Sequence, residues 1–173
     1  MTKYATSGQL GVDLLAFFHP STTFVPYASD VPQFTLGQQV TASDNSVWVR
    51  IKLGTGGVTG AGYVIVFDEA FLGVMMSNSV GGLGDKIGVW AAGAAVIGDY
   101  GWVQVYGECD AIQVLASAAA NVALASTTTA GALDDSVSTP TINVTGIQLT
   151  TARAASQGNA PGVLNWPVVG STN

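Results

Sequence analysis

The stretch Gly98-Asp99-Tyr100-Gly101-Trp102-Val103-Gln104-Val105-Tyr106-Gly107 decides how this chain is read. Side chains alternate along a strand, so Tyr100, Trp102 and Gln104 point to one side and Gly101, Val103 and Val105 to the other. Aromatic and β-branched residues at this density suit a pleated, half-buried surface better than a helix. Gly98 and Gly107 bracket the run as turn punctuation. From Tyr100 to Gly107 no side chain suits a nucleophile or a metal ligand, which points to packing and binding.

The flanking segments read the same way. Lys86 to Ala91 forms a strand that pairs with or neighbours the 100–107 strand across the loop Ala92 to Asp99. Downstream, a short turn at Glu108-Cys109-Asp110 leads to Ala111-Ile112-Gln113-Val114-Leu115. Upstream, the alternation is cleanest at residues 47–53: Val47, Val49, Ile51 and Leu53 face one way, Trp48, Arg50 and Lys52 the other. Trp48 is the odd residue on the polar side and is a candidate to cover a neighbour or an interface. Gly62 to Asp68 is apolar nearly throughout, so both its faces are expected to be buried. Gln33 to Val40 reads as a strand bent at Gly37, and Phe71 to Met76 as another apolar run. Gly54–Gly57 and Ser77–Asp85 read as loops.

Alanine is abundant over 116–133 and favours helix, but Thr127-Thr128-Thr129 and Gly131 interrupt it and no i, i+3, i+4 apolar stripe persists. Short strands at Asn121–Ser126 and Ala130–Leu133 are the preferred reading. Asn143 to Thr150 alternates, and Val163–Trp166 closes the chain between Pro161 and Pro167, which mark edges. Eight or more short strands, spaced by about 8–15 residues, predict an all-β fold, a small antiparallel β-barrel or sandwich over 34–173. Residues 1–33 hold Pro20, Pro26 and Pro32, lack periodicity and read as an extended N-terminal arm. Its apolar patch, Leu14 to Phe18, must be buried by something. Its own domain or a neighbouring subunit can do so. Leu14, Leu15, Phe17, Phe18 and Trp48 are therefore the candidate residues for contacts between subunits or with a partner surface.

Composition bounds the function. The chain has 173 residues, enough for one domain with an arm, and a domain of this size buries roughly 70% of its unfolded surface. Its hydrophobic share is 48% and its charged share 9%, against a usual charged share of about 25%. That balance opposes disorder. Net charge is -6, and the five basic residues are scattered, with only Arg50 and Lys52 near each other. Nucleic-acid binding draws on clustered Lys and Arg, so no direct nucleic-acid partner is expected. No window approaches the roughly 20 apolar residues of a membrane helix, no signal peptide is apparent, and the single Cys109 makes no internal disulfide. A soluble protein made in a cytoplasm is expected.

Chemical motifs are scarce. The glycines at 54, 56, 57, 82 and 84 fail the spacing of phosphate- and dinucleotide-binding loops and are read as turn formers. His19 is the only histidine and precedes a proline in the arm, so neither a zinc site nor a catalytic triad is expected around it. Cys109 lies between Glu108 and Asp110, whose charges suppress thiolate formation, and reads as a small semi-buried residue. Asp68-Glu69 and Asp134-Asp135 are adjacent pairs that point apart on a strand. They read as loop charges, although Asp134, Asp135 and Ser136 could begin a calcium loop. Asn143-Val144-Thr145 matches a glycosylation acceptor, read as accidental. No cofactor, no metal and no catalytic residue is expected.

The ordered set of segments resembles the small β-barrel capsid cement, or head decoration, proteins of tailed bacteriophages. The carrying residues are Phe34-Thr35-Leu36-Gly37, then Asp44-Asn45 with the Val47–Ile51 strand, Lys86-Ile87-Gly88-Val89, the Gly98–Gly107 block, Ala130-Gly131-Ala132-Leu133-Asp134-Asp135, and Gly146-Ile147-Gln148-Leu149. They span most of 33–150. Asn45 departs from the glycine common at that turn, and Asn also tolerates left-handed geometry. The resemblance implies a non-catalytic virion protein, usually a homotrimer, that sits on the capsid exterior and clamps subunits of the major capsid protein. A tail-fibre or receptor-binding β-module of the virion is the alternative.

Overall fold

A computed structural model describes residues 12–20, 34–135 and 141–172. Among these the fold is all-β, as the periodicity predicts: β1 (Gln39–Thr41), β2 (Val47–Leu53), β3 (Val64–Phe67), β4 (Leu72–Met75), β5 (Lys86–Trp90), β6 (Tyr100–Val114), β7 (Leu124–Ser126), β8 (Leu133–Asp134), β9 (Ile142–Leu149) and β10 (Gly158–Thr172). The alanine-rich segment carries the short strands β7 and β8 and no helix. Residues 1–11 and 21–33 of the arm, and Ser136, lie outside the described residues.

All ten strands belong to one sheet that closes on itself. It is mixed rather than purely antiparallel, because β2–β4 and β6–β8 run parallel. One closed circuit runs β2–β4–β3–β5–β6 and back to β2. A second runs β6–β8–β7–β9–β10 and back to β6. Each circuit has its own apolar cluster. Val49, Ile51, Leu53, Phe67, Trp90, Val103 and Val105 belong to the first; Ile112, Val114, Leu133, Val144, Leu149 and Leu164 to the second. Strand β3 serves both, sending Ile65 and Phe67 to one cluster and Val64 and Val66 to the other. All four of its residues are buried, which is the physical reason for its unbroken apolar run.

Two sequence readings are corrected here. Glu108-Cys109-Asp110 is not a turn: β6 continues through it for 15 residues. Between Val47↔Tyr106 and Trp48↔Gln104 the pairing advances one residue on β2 and two on β6, a bulge that bends the strand instead of ending it. The extra residue is Val105, and Gly107, at φ 95°, lies two residues further along the strand. The Gln104 side-chain amide donates to the carbonyls of Tyr106 (3.2 Å) and Glu108 (2.7 Å), so the bend leaves these two oxygens bonded. Likewise Pro161 and Pro167 lie inside β10, not at its edges. They sit where its register shifts, against β6 between Ala160 and Gly162 and against β9 between Leu164 and Val168, positions where a missing donor is tolerated.

Gly101 lets the Trp90 ring lie on the β6 backbone, since a Cβ there would overlap the indole carbons. Gly101→Ala is expected to destabilise the fold by about 2–3 kcal/mol through overpacking. Gly93→Ala, at a site open to solvent, should change stability by less than about 0.5 kcal/mol. Urea denaturation of the two variants checks the contrast.

Candidate interaction surface

On the face of β2 turned away from the first cluster, Trp48, Arg50 and Lys52 stand opposite Gln104, Trp102 and Tyr100 of β6. Residues 12–20 lie across part of this face. Val12 and Leu14 join Val40, Ala42, Trp48 and Trp102 in a third apolar cluster, with Phe34 against Trp102 at 5.6 Å between ring centroids. Leu14 is 0% and Trp48 1% exposed, so this chain itself covers both. The Trp48 indole N–H donates to Ser46 Oγ (2.8 Å), and that hydroxyl donates to the Asp44 carboxylate (2.6 Å). The polar loop thus satisfies a buried donor, and Asn45 takes the left-handed conformation at φ 63°.

The arm segment is also tied to β6 by main-chain bonds. The Phe18 N–H donates to the Tyr100 carbonyl (2.7 Å) and the Tyr100 N–H to the Phe18 carbonyl (2.8 Å). Next to this bridge, His19 Nδ1 contacts Asp99 Oδ1. Asp99 is itself buried, and its other oxygen accepts the Val96 N–H (2.8 Å). His19 therefore has a partner that its place in the sequence did not reveal. Leu15 and Phe17 face outward, at 43% and 39% exposure. The hydrogen bonds through Asp99 bring the 92–99 loop to the Phe18–Tyr100 bridge, and Val96 and Ile97 of that loop are exposed. The Gly54–Gly57 loop lies beside the 92–99 loop, because Val58 pairs with Ala95.

Alternation places Arg50 on the polar face of the 47–53 strand, near Lys52. Arg50 is 4% exposed. The guanidinium carbon lies 5.4 Å from the Trp102 ring centroid and 6.0 Å from that of Tyr100, and Lys52 Nζ lies 5.4 Å from the Tyr100 centroid. Burial pushes the Arg50 pKa down to about 10, partly offset by Tyr100. A base with a lowered folded pKa destabilises the fold below that value, and the penalty fades only as pH rises from about 10 toward the ordinary arginine value.

A separate cleft of about 210 Å³ is lined by Phe67, Phe71, Lys86, Val105, Trp166 and Pro167, among others. Phe71 and Trp166 both hold positive φ, 60° and 48°, where bulky residues cost about 1–3 kcal/mol. Asp68 sets the Phe71 turn: its carboxylate accepts the N–H groups of Ala70 and Leu72, each at 2.9 Å. Trp166 and Tyr106 form an exposed pair with centroids 6.3 Å apart, and Lys86 Nζ is 5.5 Å from the Phe71 ring centroid.

The other sequence candidates fall elsewhere. Cys109 is buried in the second cluster and its thiol contacts the Ala111 carbonyl (3.5 Å). Asp134 is buried in β8, its carboxylate accepting the Asp135 N–H (2.9 Å). No group of three or more His, Cys, Asp or Glu among the described residues is placed to hold a metal. Asn143 lies in β9 and donates to Ser171 Oγ (3.2 Å).

Two variants test this surface. Leu14→Ala should release residues 12–20, raising the amide exchange rates of Phe18 and Tyr100 at least tenfold, since deleting a buried leucine side chain costs about 2–5 kcal/mol. Arg50→Met should fold and match or exceed the wild-type melting temperature, because a buried charge with no ion pair among the described residues is replaced by an apolar side chain of similar length. The gain should be the same from pH 5 to 9, where Arg50 is protonated in both folded and unfolded states. No protein-family model matches the chain, and no curated protein matches it in sequence.

Proposed function

We propose that this chain is a non-catalytic structural protein of a tailed-phage virion, seated on the capsid exterior as a homotrimer and holding neighbouring coat subunits together. The observation that carries this reading is the apolar end of the molecule beside the Phe18–Tyr100 bridge, where Phe17, Val96 and Ile97 are exposed on a hydrogen-bonded arm and loop. The resemblance supports it, because the residues that carry it lie on or beside β2, β5, β6, β8 and β9. A trimer presents three such ends at once, and linked sites bind far more tightly than single ones. A protein that binds only the assembled shell stabilises that shell by mass action.

A second reading, a receptor-binding module of the virion, rests on the exposed Tyr106–Trp166 pair beside the cleft. An aromatic platform of this kind is suited to flat apolar ligand faces. Binding on a glycan array that is lost in Trp166→Ala would favour it.

Cryo-electron microscopy of the virion tests the first reading directly, with density for this chain expected on the outer capsid surface. Absence of the chain from purified particles overturns it. The paired substitution Phe17→Asp and Ile97→Asp should lower co-sedimentation with expanded capsids at least tenfold while leaving the melting temperature within a few degrees of wild type, since both side chains are exposed.

A further inference from the structure

Among the described residues, Arg50 is the only charged side chain with a buried nitrogen or oxygen left unbonded: its Nε has no acceptor. No carboxylate of the described residues forms an ion pair with it. The nearest acid in sequence to this face, Asp99, is occupied by His19 and the Val96 N–H. Two residues along the same face stands a second cation, Lys52, about 7 Å away along the strand. Both approach the Tyr100 ring. Buried charges in folded proteins are normally paired and hydrogen-bonded, and here two like charges share one face instead.

We propose that Arg50 and Lys52 form a binding site for a single oxyanion, a carboxylate or a phosphate group. The rings of Tyr100 and Trp102 hold the guanidinium in place, leaving its planar set of N–H donors for an acceptor, the geometry that suits carboxylate and phosphate oxygens. Lys52 and Tyr100 are half-buried, so the anion approaches from their side and meets the ammonium before the guanidinium. Once bound, it offsets the repulsion between the two cations and supplies the acceptor that Nε lacks. No other described residue offsets the cost of keeping Arg50 charged and buried, whereas a ligand does so by linkage.

The experiment uses the full-length chain at pH 7, titrated with sodium phosphate, sodium acetate or sodium chloride at matched ionic strength. It follows the Arg50 Nε–H resonance by NMR and the melting temperature. Phosphate or acetate should move the resonance saturably and raise the melting temperature beyond chloride. Arg50→Met should lose the thermal response, and Lys52→Gln should weaken it at least fivefold. A preference for phosphate assigns the site to a phosphate-bearing ligand; a preference for acetate assigns it to an acidic side chain of a protein partner. The proposal is overturned if neither anion exceeds chloride or if Arg50→Met responds like wild type. An unchanged response in Lys52→Gln overturns the two-cation site.

Discussion

Both closed circuits of the sheet run along β6, so the bend in that strand governs the rest of the structure. Before Gly107, Val103 and Val105 point into the first apolar cluster; beyond it, Cys109, Ile112 and Val114 point into the second. A straight 15-residue strand could not close two circuits, and a strand broken at residue 107 would leave β10 without its longest partner. The bulge avoids both outcomes. Its cost is limited by Gln104, which bonds two carbonyls in the bend, and just beyond it Gly107 takes positive φ without a Cβ penalty. Strands β3 and β5 then act as the wall between clusters, buried on both faces.

The outer face of β2 and β6 follows a different rule. It carries aromatic and basic side chains of the kind normally turned to water, yet residues 12–20 and Phe34 bury its tryptophans. Two buried polar groups on this face are handled in opposite ways. The Trp48 indole N–H is satisfied through Ser46 and Asp44, while the Arg50 guanidinium rests on aromatic rings with no acceptor for its Nε among the described residues. Cation–π attraction returns about 2 kcal/mol in a desolvated setting and opposes the desolvation that lowers the Arg50 pKa. The face is therefore stable where it meets the arm and costly where it meets Arg50.

Strain is concentrated on the far side of the first cluster. Phe71 and Trp166 both occupy left-handed conformations and line one cleft. Asp68 closes the Phe71 turn with its carboxylate, and Trp166 precedes Pro167 at a register shift of β10. The exposed Tyr106–Trp166 pair is the outward consequence.

The sequence by itself determined the strands whose character is local. Alternation located β2, density of β-branched residues located β3 and β6, and the interruptions by threonine and glycine excluded a helix over 116–133. It also marked the Leu14–Phe18 patch as needing a cover and Trp48 as a residue to cover a neighbour or an interface. Only the tertiary structure decided what depends on distant residues. A glycine or proline reads as a boundary when only its neighbours in sequence are known, so Gly107, Pro161 and Pro167 looked like ends. In the fold the strands run on through all three, because partner strands on either side carry the pairing past them. Arg50 followed the same logic: alternation assigns it to a polar face, and nothing local shows that rings from a strand fifty residues later enclose that face. Burial is a property of pairs of elements, and the pairing is long-range.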